Sequence, residues 1–179
     1  MDNSVRLFVK RLIEKIISRG KYPKRVLEIA PSRKPDRSLL LLDCFQDSIK
    51  EGISTVGPFK LGTAYVHYGN SNNMHMFQDE SFDMVLSNAV LEHDRYFWRS
   101  IEEYKRVLSG GGILIIGVPG FVATDDNKKF APVFKYHMKE DYYRFSPLAV
   151  SQVFLEGMSS VEVYPILNPP RIIGVATKV

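Results

Sequence analysis

The chain has 179 residues, 45% hydrophobic and 25% charged, enough for a full core and typical of a soluble globular protein, read as one domain over 1–179. No apolar run approaches the roughly 18 residues of a membrane span, and the charged pattern of the first twenty residues excludes a signal peptide. One cysteine, Cys44, excludes an internal disulfide framework and suits a cytoplasmic location. Charge is uneven: residues 1–37 carry 11 Lys+Arg against 4 Asp+Glu, a net of +7, while the whole chain is +4 and the remainder therefore −3.

In chain order, Val5, Phe8, Leu12 and Ile16 recur at helical spacing, with Leu7, Ile13 and Ile17 between them. This predicts an amphipathic helix over 4–18 that Gly20 ends. Its basic residues are read as the solvated face of a packed helix, since no aromatic interleaving accompanies them and nucleic acid is not the expected partner. "RVLEIA" (25–30) is a short β-branched apolar run and predicts a buried strand.

The next stretch admits two registers. In one, "SLLLLD" is the second strand and Asp43 an acid at its end. In the other, Asp36 caps a helix over 37–51, Gly52 stops it, and "ISTVG" (53–57) is the strand. A parallel crossover needs roughly a dozen residues including its helix, which the first register does not supply, so the second is adopted. No acid then stands at the end of the second strand, where Gly57 and Pro58 follow. Strands are predicted at 64–69, 82–90 and 113–120, with a helix over about 95–108 ended by the glycines 110–112. Residues 121–146 read as an irregular aromatic loop over the top of the sheet. A helix over 147–157 follows, begun by proline and ended by glycine. Two closing strands, "VEVYPI" and "RIIGVATKV", are joined too tightly to be parallel and must pair antiparallel. The alternation predicts an α/β fold of three αβα layers around a mostly parallel seven-stranded sheet whose final strand is antiparallel.

In such a sheet, ligands bind beyond the carboxyl ends of the strands, where strand order reverses. The candidate residues there are Glu28, Ala30, Pro31 and Ser32 after the first strand and Val56 and Gly57 after the second. Asn70 and Ser71 follow the third, and Asn88 to Leu91 the fourth. His93 is the first candidate for a general base, because it follows the fourth strand and its ordinary pKa suits proton transfer. A brace for the turn is an equally good reading. His137, in "FKYHMKEDYYRF", is the second candidate, against an ordinary loop histidine. Glu92 and His93 are adjacent without a converging third ligand, so no metal site is assigned. Cys44 reads as a small packed side chain.

"SFDMVLSNAVLEH" followed by "IEEYKRVLSGGGILIIGVPG" resembles the middle of class I S-adenosylmethionine-dependent methyltransferases, particularly the type 11 group. "GNSNN…MFQDESFD" resembles the group's adenine-contacting turn, with Asn70 where Asp is usual, and "DYYRFSPLAV" resembles its Tyr-Arg-Phe-Ser/Thr-Pro helix entry. The resemblance covers about residues 25–178 and implies a Rossmann-like methyltransferase fold with S-adenosylmethionine as cofactor.

One departure stands at the first turn, where the family pattern is E-x-G-x-G-x-G and this chain reads "EIAPSRK". Glycine allows close backbone approach and unusual φ values; Pro31 removes a donor and stiffens the turn. With the ribose-binding acid also absent, the lost hydrogen bonds to a charged group cost roughly 1.5–3 kcal/mol, so the cofactor is expected to bind weakly or to be lost. The leading expectation is methyl transfer to a small-molecule or glycan-like acceptor under the 121–146 loop. The alternatives are a non-catalytic methyltransferase-like binding module, and a nucleic-acid methyltransferase guided by the basic N-terminal helix.

Overall fold

The computed structural model of the chain describes residues 3–124, 129–132, 141–167 and 169–179, with 122–124 and 129–132 described by their backbone alone. The sequence folds into helix α1 (Asn3–Ser18) and strands β1 (Arg25–Ile29), β2 (Ile49–Ser54), β3 (Phe59–Leu61), β4 (Ala64–Tyr68) and β5 (Phe82–Asn88). Helix α2 (Phe97–Val107), strand β6 (Leu108–Pro119) and a hairpin of β7 (Phe121–Thr124) and β8 (Lys129–Pro132) come next. Helix α3 (Pro147–Ala149), continuing as a π-helical turn through Phe154, and strands β9 (Ser159–Leu167) and β10 (Pro170–Thr177) complete the chain.

Eight strands form one sheet in the order β3-β4-β2-β1-β5-β6-β10-β9. The five strands from β4 to β6 run parallel. β10 is antiparallel to both β6 and β9, as the short link between the closing strands requires, and β3 is antiparallel to β4. This is the mostly parallel α/β sheet with an antiparallel final strand that the alternation predicts, with β3 as an eighth strand that the expected seven did not include.

Strand alternation divides the core in two. Val26, Met84, Leu86 and Ile115 point toward α1, whose stripe of Val5, Val9 and Ile13 is buried among Leu39, Leu40, Leu42 and Phe45. Leu27, Ile29, Val85, Leu114 and Ile116 point the other way, onto Ile101, Tyr104 and Val107 of α2 and Val150 and Phe154. Period-two patterning in the strands and period-3.6 patterning in the helices thus meet on both faces. The basic residues of α1 lie beside this apolar stripe, where Lys10 Nζ donates to Asp43 Oδ2 at 2.9 Å and Arg6 Nε to the Ser38 carbonyl at 3.3 Å. Among the described residues no helix is long and apolar enough to cross a membrane.

The crossover from β1 to β2 corrects the expected helix over 37–51. That stretch holds only 3₁₀ turns at Pro35–Arg37 and Asp43–Phe45, and β2 begins at Ile49, four residues before the expected strand. The cause is Glu28. Its buried carboxylate Oε2 accepts from the Ser38 hydroxyl at 2.6 Å and from the Leu39 and Leu40 amides at 3.0 Å each. The Leu40 amide, which the expected helix would bond to the Asp36 carbonyl, goes to Glu28 instead, so tertiary bonding overrides local propensity. Gly52 does not stop a helix: it lies inside β2, and a Cβ there would sit 2.8 Å from Pro31 Cγ. The 121–146 stretch is likewise not wholly irregular, since it contains the β7–β8 hairpin.

Candidate functional site

A cavity of about 390 Å³ opens where strand order reverses. Its floor is made by the carboxyl ends of four parallel strands: Ile29 and Ala30 of β1, Ile53 to Thr55 of β2, Gly69 and Asn70 after β4, and Ala89 and Val90 after β5. Ser71, Asn72, His93, Asp94, Arg95, Tyr96 and Tyr142 complete the wall.

Two of the floor residues have unusual backbones. Ala30 has φ +49° and Ala89 φ +57°, in the left-handed region that disfavours side chains. Both follow directly from adjacent strands. The Ala30 amide donates to the Ile53 carbonyl, and the Ala89 amide to the Gly117 carbonyl, each at 2.8 Å. These bonds hold the turns in conformations that glycine would adopt without strain. Ala30 therefore stands, where the resembled pattern has glycine, in a left-handed conformation that glycine adopts without strain.

The wall is bolted to the start of α2. Asn72 Nδ2 donates to Asp94 Oδ2 at 2.7 Å, and Ser100 Oγ lies 2.6 Å from that same oxygen and 2.8 Å from Ser71 Oγ. The other Asp94 oxygen accepts the Tyr96 amide at 2.9 Å. Asn70 Oδ1 accepts the Asn72 amide at 2.9 Å, which fixes the 70–73 turn from within. Thus Asp94 braces the cavity with both oxygens already engaged.

Beside the cavity, between the turn after β5 and Arg171 of β10, lies a buried ionic cluster. Glu92 sits in the 3₁₀ turn Leu91–His93 with its side chain only 4% exposed. Its Oε1 lies 3.4 Å from Arg171 and 3.9 Å from His93 Nε2, while Oε2 has no hydrogen-bond partner. Burial raises the Glu92 carboxyl above the ordinary carboxylate range, and Arg171 and His93 pull it back only in part. The Glu92 carbonyl accepts the amides of Tyr142 and Tyr143 at 2.8 and 3.2 Å, which straps residues 141–146 across this end of the sheet. Asp141 and Arg144 pair there at 2.7 Å.

The structure brings Ala30, Asn70, Ser71 and His93 together around the cavity. Glu28 lies on the α1 face of the sheet, bonding the crossover. Pro31 is buried against Gly52, and Ser32 Oγ accepts the Lys34 amide within its own turn. Val56 and Gly57 follow β2 just outside the cavity lining. Asn88 turns its buried Oδ1, without a partner, over Gly117, where any side chain would collide with it. His137 lies outside the described residues. Sequence reasoning missed Ser54 and Thr55, because it placed the strand end three residues late. It also missed Asp94, Arg95 and Tyr96, although "DRYFWR" directly after the "LEH" turn is an aromatic and basic run at a strand-end loop.

The end of β2 provides hydroxyls at Ser54 and Thr55 and no carboxylate; Glu51, the nearest acid, lies inside the strand bonded to Arg25 at 2.6 Å and His67 at 3.0 Å. The cavity's place at the switch point, its volume and its glycine-like turn fit a nucleoside-bearing cofactor held without the ribose acid.

A family model described as a methyltransferase domain matches residues 27–116, half of the chain. The chain belongs to that family, the type 11 group of class I S-adenosylmethionine-dependent methyltransferases, and S-adenosylmethionine is the cofactor that goes with it.

Among solved structures, a SAM-dependent methyltransferase from Archaeoglobus fulgidus is similar at TM-score 0.72 and 15% identity, covering 97% of this chain and 94% of that one. The 1,6-didemethyltoxoflavin-N1-methyltransferase of Burkholderia thailandensis, solved with 1,6-didemethyltoxoflavin and S-adenosylhomocysteine, is similar at TM-score 0.70 and 16% identity over 99% of this chain and 80% of that one. An uncharacterized protein of Methanocaldococcus jannaschii is 52% identical over 42 residues, 24% of this chain and 20% of that relative.

Proposed function

We propose that the chain transfers a methyl group from S-adenosylmethionine to a small-molecule acceptor. The observation that carries this reading is the 390 Å³ cavity beyond β1, β2, β4 and β5, with Ala30 held in a glycine-like turn at its floor. The bound cofactor supplies an already activated methyl group, so the protein's task is alignment and exclusion of water. Ala30, Ser54, Thr55, Asn70 and Ser71 would hold the nucleoside and amino-acid portions. His93, at the cavity wall beside Glu92, would take the proton of an acceptor that must lose one. The bound small molecule of the Burkholderia enzyme supports a small acceptor by analogy of fold. A cytoplasmic location accompanies this reading, on the single cysteine.

Titration of S-adenosylhomocysteine by calorimetry and thermal shift tests it. Binding to the native state must raise apparent stability by mass action, by about 2.7 kcal/mol at a hundred times Kd. No stabilisation at millimolar ligand would overturn the proposal. It would favour the second reading, a binding module with a decayed cofactor site. Pro31 buried on Gly52 and the missing β2 acid are the observations on that side.

A further inference from the structure

The mouth of the cavity carries a group of side chains that methyl transfer alone does not call for. Tyr96 and Tyr142, in the cavity wall, keep 45% and 43% of their surface exposed, and Trp98, against Tyr96, keeps 47%. The Arg95 guanidinium lies over the Tyr142 ring at 5.4 Å from its centroid, and the Arg99 guanidinium over Tyr96 at 5.3 Å. Tyr96 and Trp98 meet edge to face with centroids 5.7 Å apart. The ion pairs of the described residues include neither arginine.

Two exposed rings in the cavity wall, with the exposed Trp98 packed on one of them, form an apolar surface of the kind that marks a binding site. Arg95 is also hydrogen-bonded to the Tyr142 and Tyr96 side chains, so it is the Arg99 guanidinium, stacked on Tyr96, that has its second face and its N–H edge to offer, one to a flat π-system and the other to an anion. The two features coincide at a cavity whose wall already includes Arg95, Tyr96 and Tyr142. We infer that this rim seats the methyl acceptor, and that the acceptor is a flat aromatic molecule bearing a carboxylate or phosphate. A nucleic-acid strand fits less well, because a strand needs a continuous basic track. Here Asp94 and the exposed Glu102 flank the two arginines. The inference rests on the cavity being the cofactor site, yet it can be tested without the cofactor.

Trp98 is the only tryptophan, so its indole N–H gives one resonance that reports on the rim. The resonance is followed while 4-hydroxybenzoate or phenyl phosphate is added to the full chain, the two probes separating carboxylate from phosphate. Saturable shifts are expected with at least one of them. Phenol and cyclohexanecarboxylate, each lacking one half of the recognition, should bind at least tenfold more weakly. The double variant Arg95→Gln, Arg99→Gln should weaken the better probe at least tenfold while the rest of the spectrum keeps its dispersion. An unmoved indole resonance, equal binding of either control, or unchanged binding by the double variant would each overturn the inference. So would tighter binding of a short single-stranded RNA than of both aromatic anions. S-adenosylhomocysteine binding measured separately keeps the two proposals apart, since either can fail while the other stands.

Discussion

Ala30 is where the family's glycine pattern and this chain's sequence collide most directly. A left-handed L-residue costs roughly 1–2 kcal/mol, and the amide bond to Ile53 holds Ala30 there regardless. Replacing Ala30 with glycine should stabilise the protein by about 1 kcal/mol, or about 2–4 °C in melting temperature for a chain of this size. It should also tighten S-adenosylhomocysteine, because the backbone can then approach the ligand; thermal melts with and without ligand measure both. Glu92 permits a second test. Its folded-state pKa lies above the unfolded value through burial. The native state therefore binds the proton more tightly, and stability falls as pH rises from the unfolded pKa through the folded one. Glu92→Gln removes that fall, so the melting temperature of the wild type minus that of the variant should decrease as pH is raised from 4. A difference that stays flat with pH would mean that Glu92 ionises normally. Buried Glu28 is common to both proteins and cancels in the comparison.

At the scale of elements, legibility followed how local the determinants are. α1, β1, β5, the apolar part of β6 and the antiparallel closing pair were readable because their patterns record which face is buried, whereas glycines 110–112, expected to end the helix, lie inside β6, which starts at Leu108. The β1–β2 crossover was not, because a carboxylate at the end of one element decides the conformation of residues ten to twelve positions later. β2 was misplaced for a related reason. Its "IKE" start looks too polar for a parallel strand, which is normally a continuous apolar run. Glu51 is tolerated because Arg25 and His67 both bond it across the neighbouring strands. The candidate site was half legible: the strand-end loops are set by topology, whereas the pairing of Arg95 with Tyr142, 47 positions later, shows only in the fold. The Pro31–Gly52 contact yields a prediction at this scale. A Cβ on Gly52 would meet Pro31 Cγ at 2.8 Å, Val66 Cγ2 at 3.2 Å and the Glu28 carbonyl at 3.3 Å. Overpacking of this kind costs typically about 1–3 kcal/mol. Gly52→Ala should therefore lower the unfolding free energy by that amount, seen as a lower urea midpoint at unchanged m, and an unchanged midpoint would show that the first turn yields easily.

Across the whole molecule the sheet separates two tasks. The half built from β4, β2, β1 and β5 opens the cavity, and the strap at 141–146 joins it to the half from β6, β10 and β9, with Tyr142 in the cavity wall and the Phe145 amide on the Pro119 carbonyl of β6. A ligand in the cavity stabilises the native state against all openings that expose its own contacts, and local openings differ in free energy across a fold. Hydrogen exchange with saturating S-adenosylhomocysteine should then slow mainly at amides 29–30, 53–55, 69–72 and 89–95. The β9 edge strand, whose residues are mostly exposed and far along the strand order from the cavity, should change little. Adding the aromatic anion that best moves the Trp98 resonance should extend the slowing to 95–99 and 142–143, where the rim side chains are rooted. Protection centred on β9 and β10 instead would place the ligand on the opposite half of the sheet. The two additions together therefore map which half binds the nucleoside and which edge of the opening receives the acceptor.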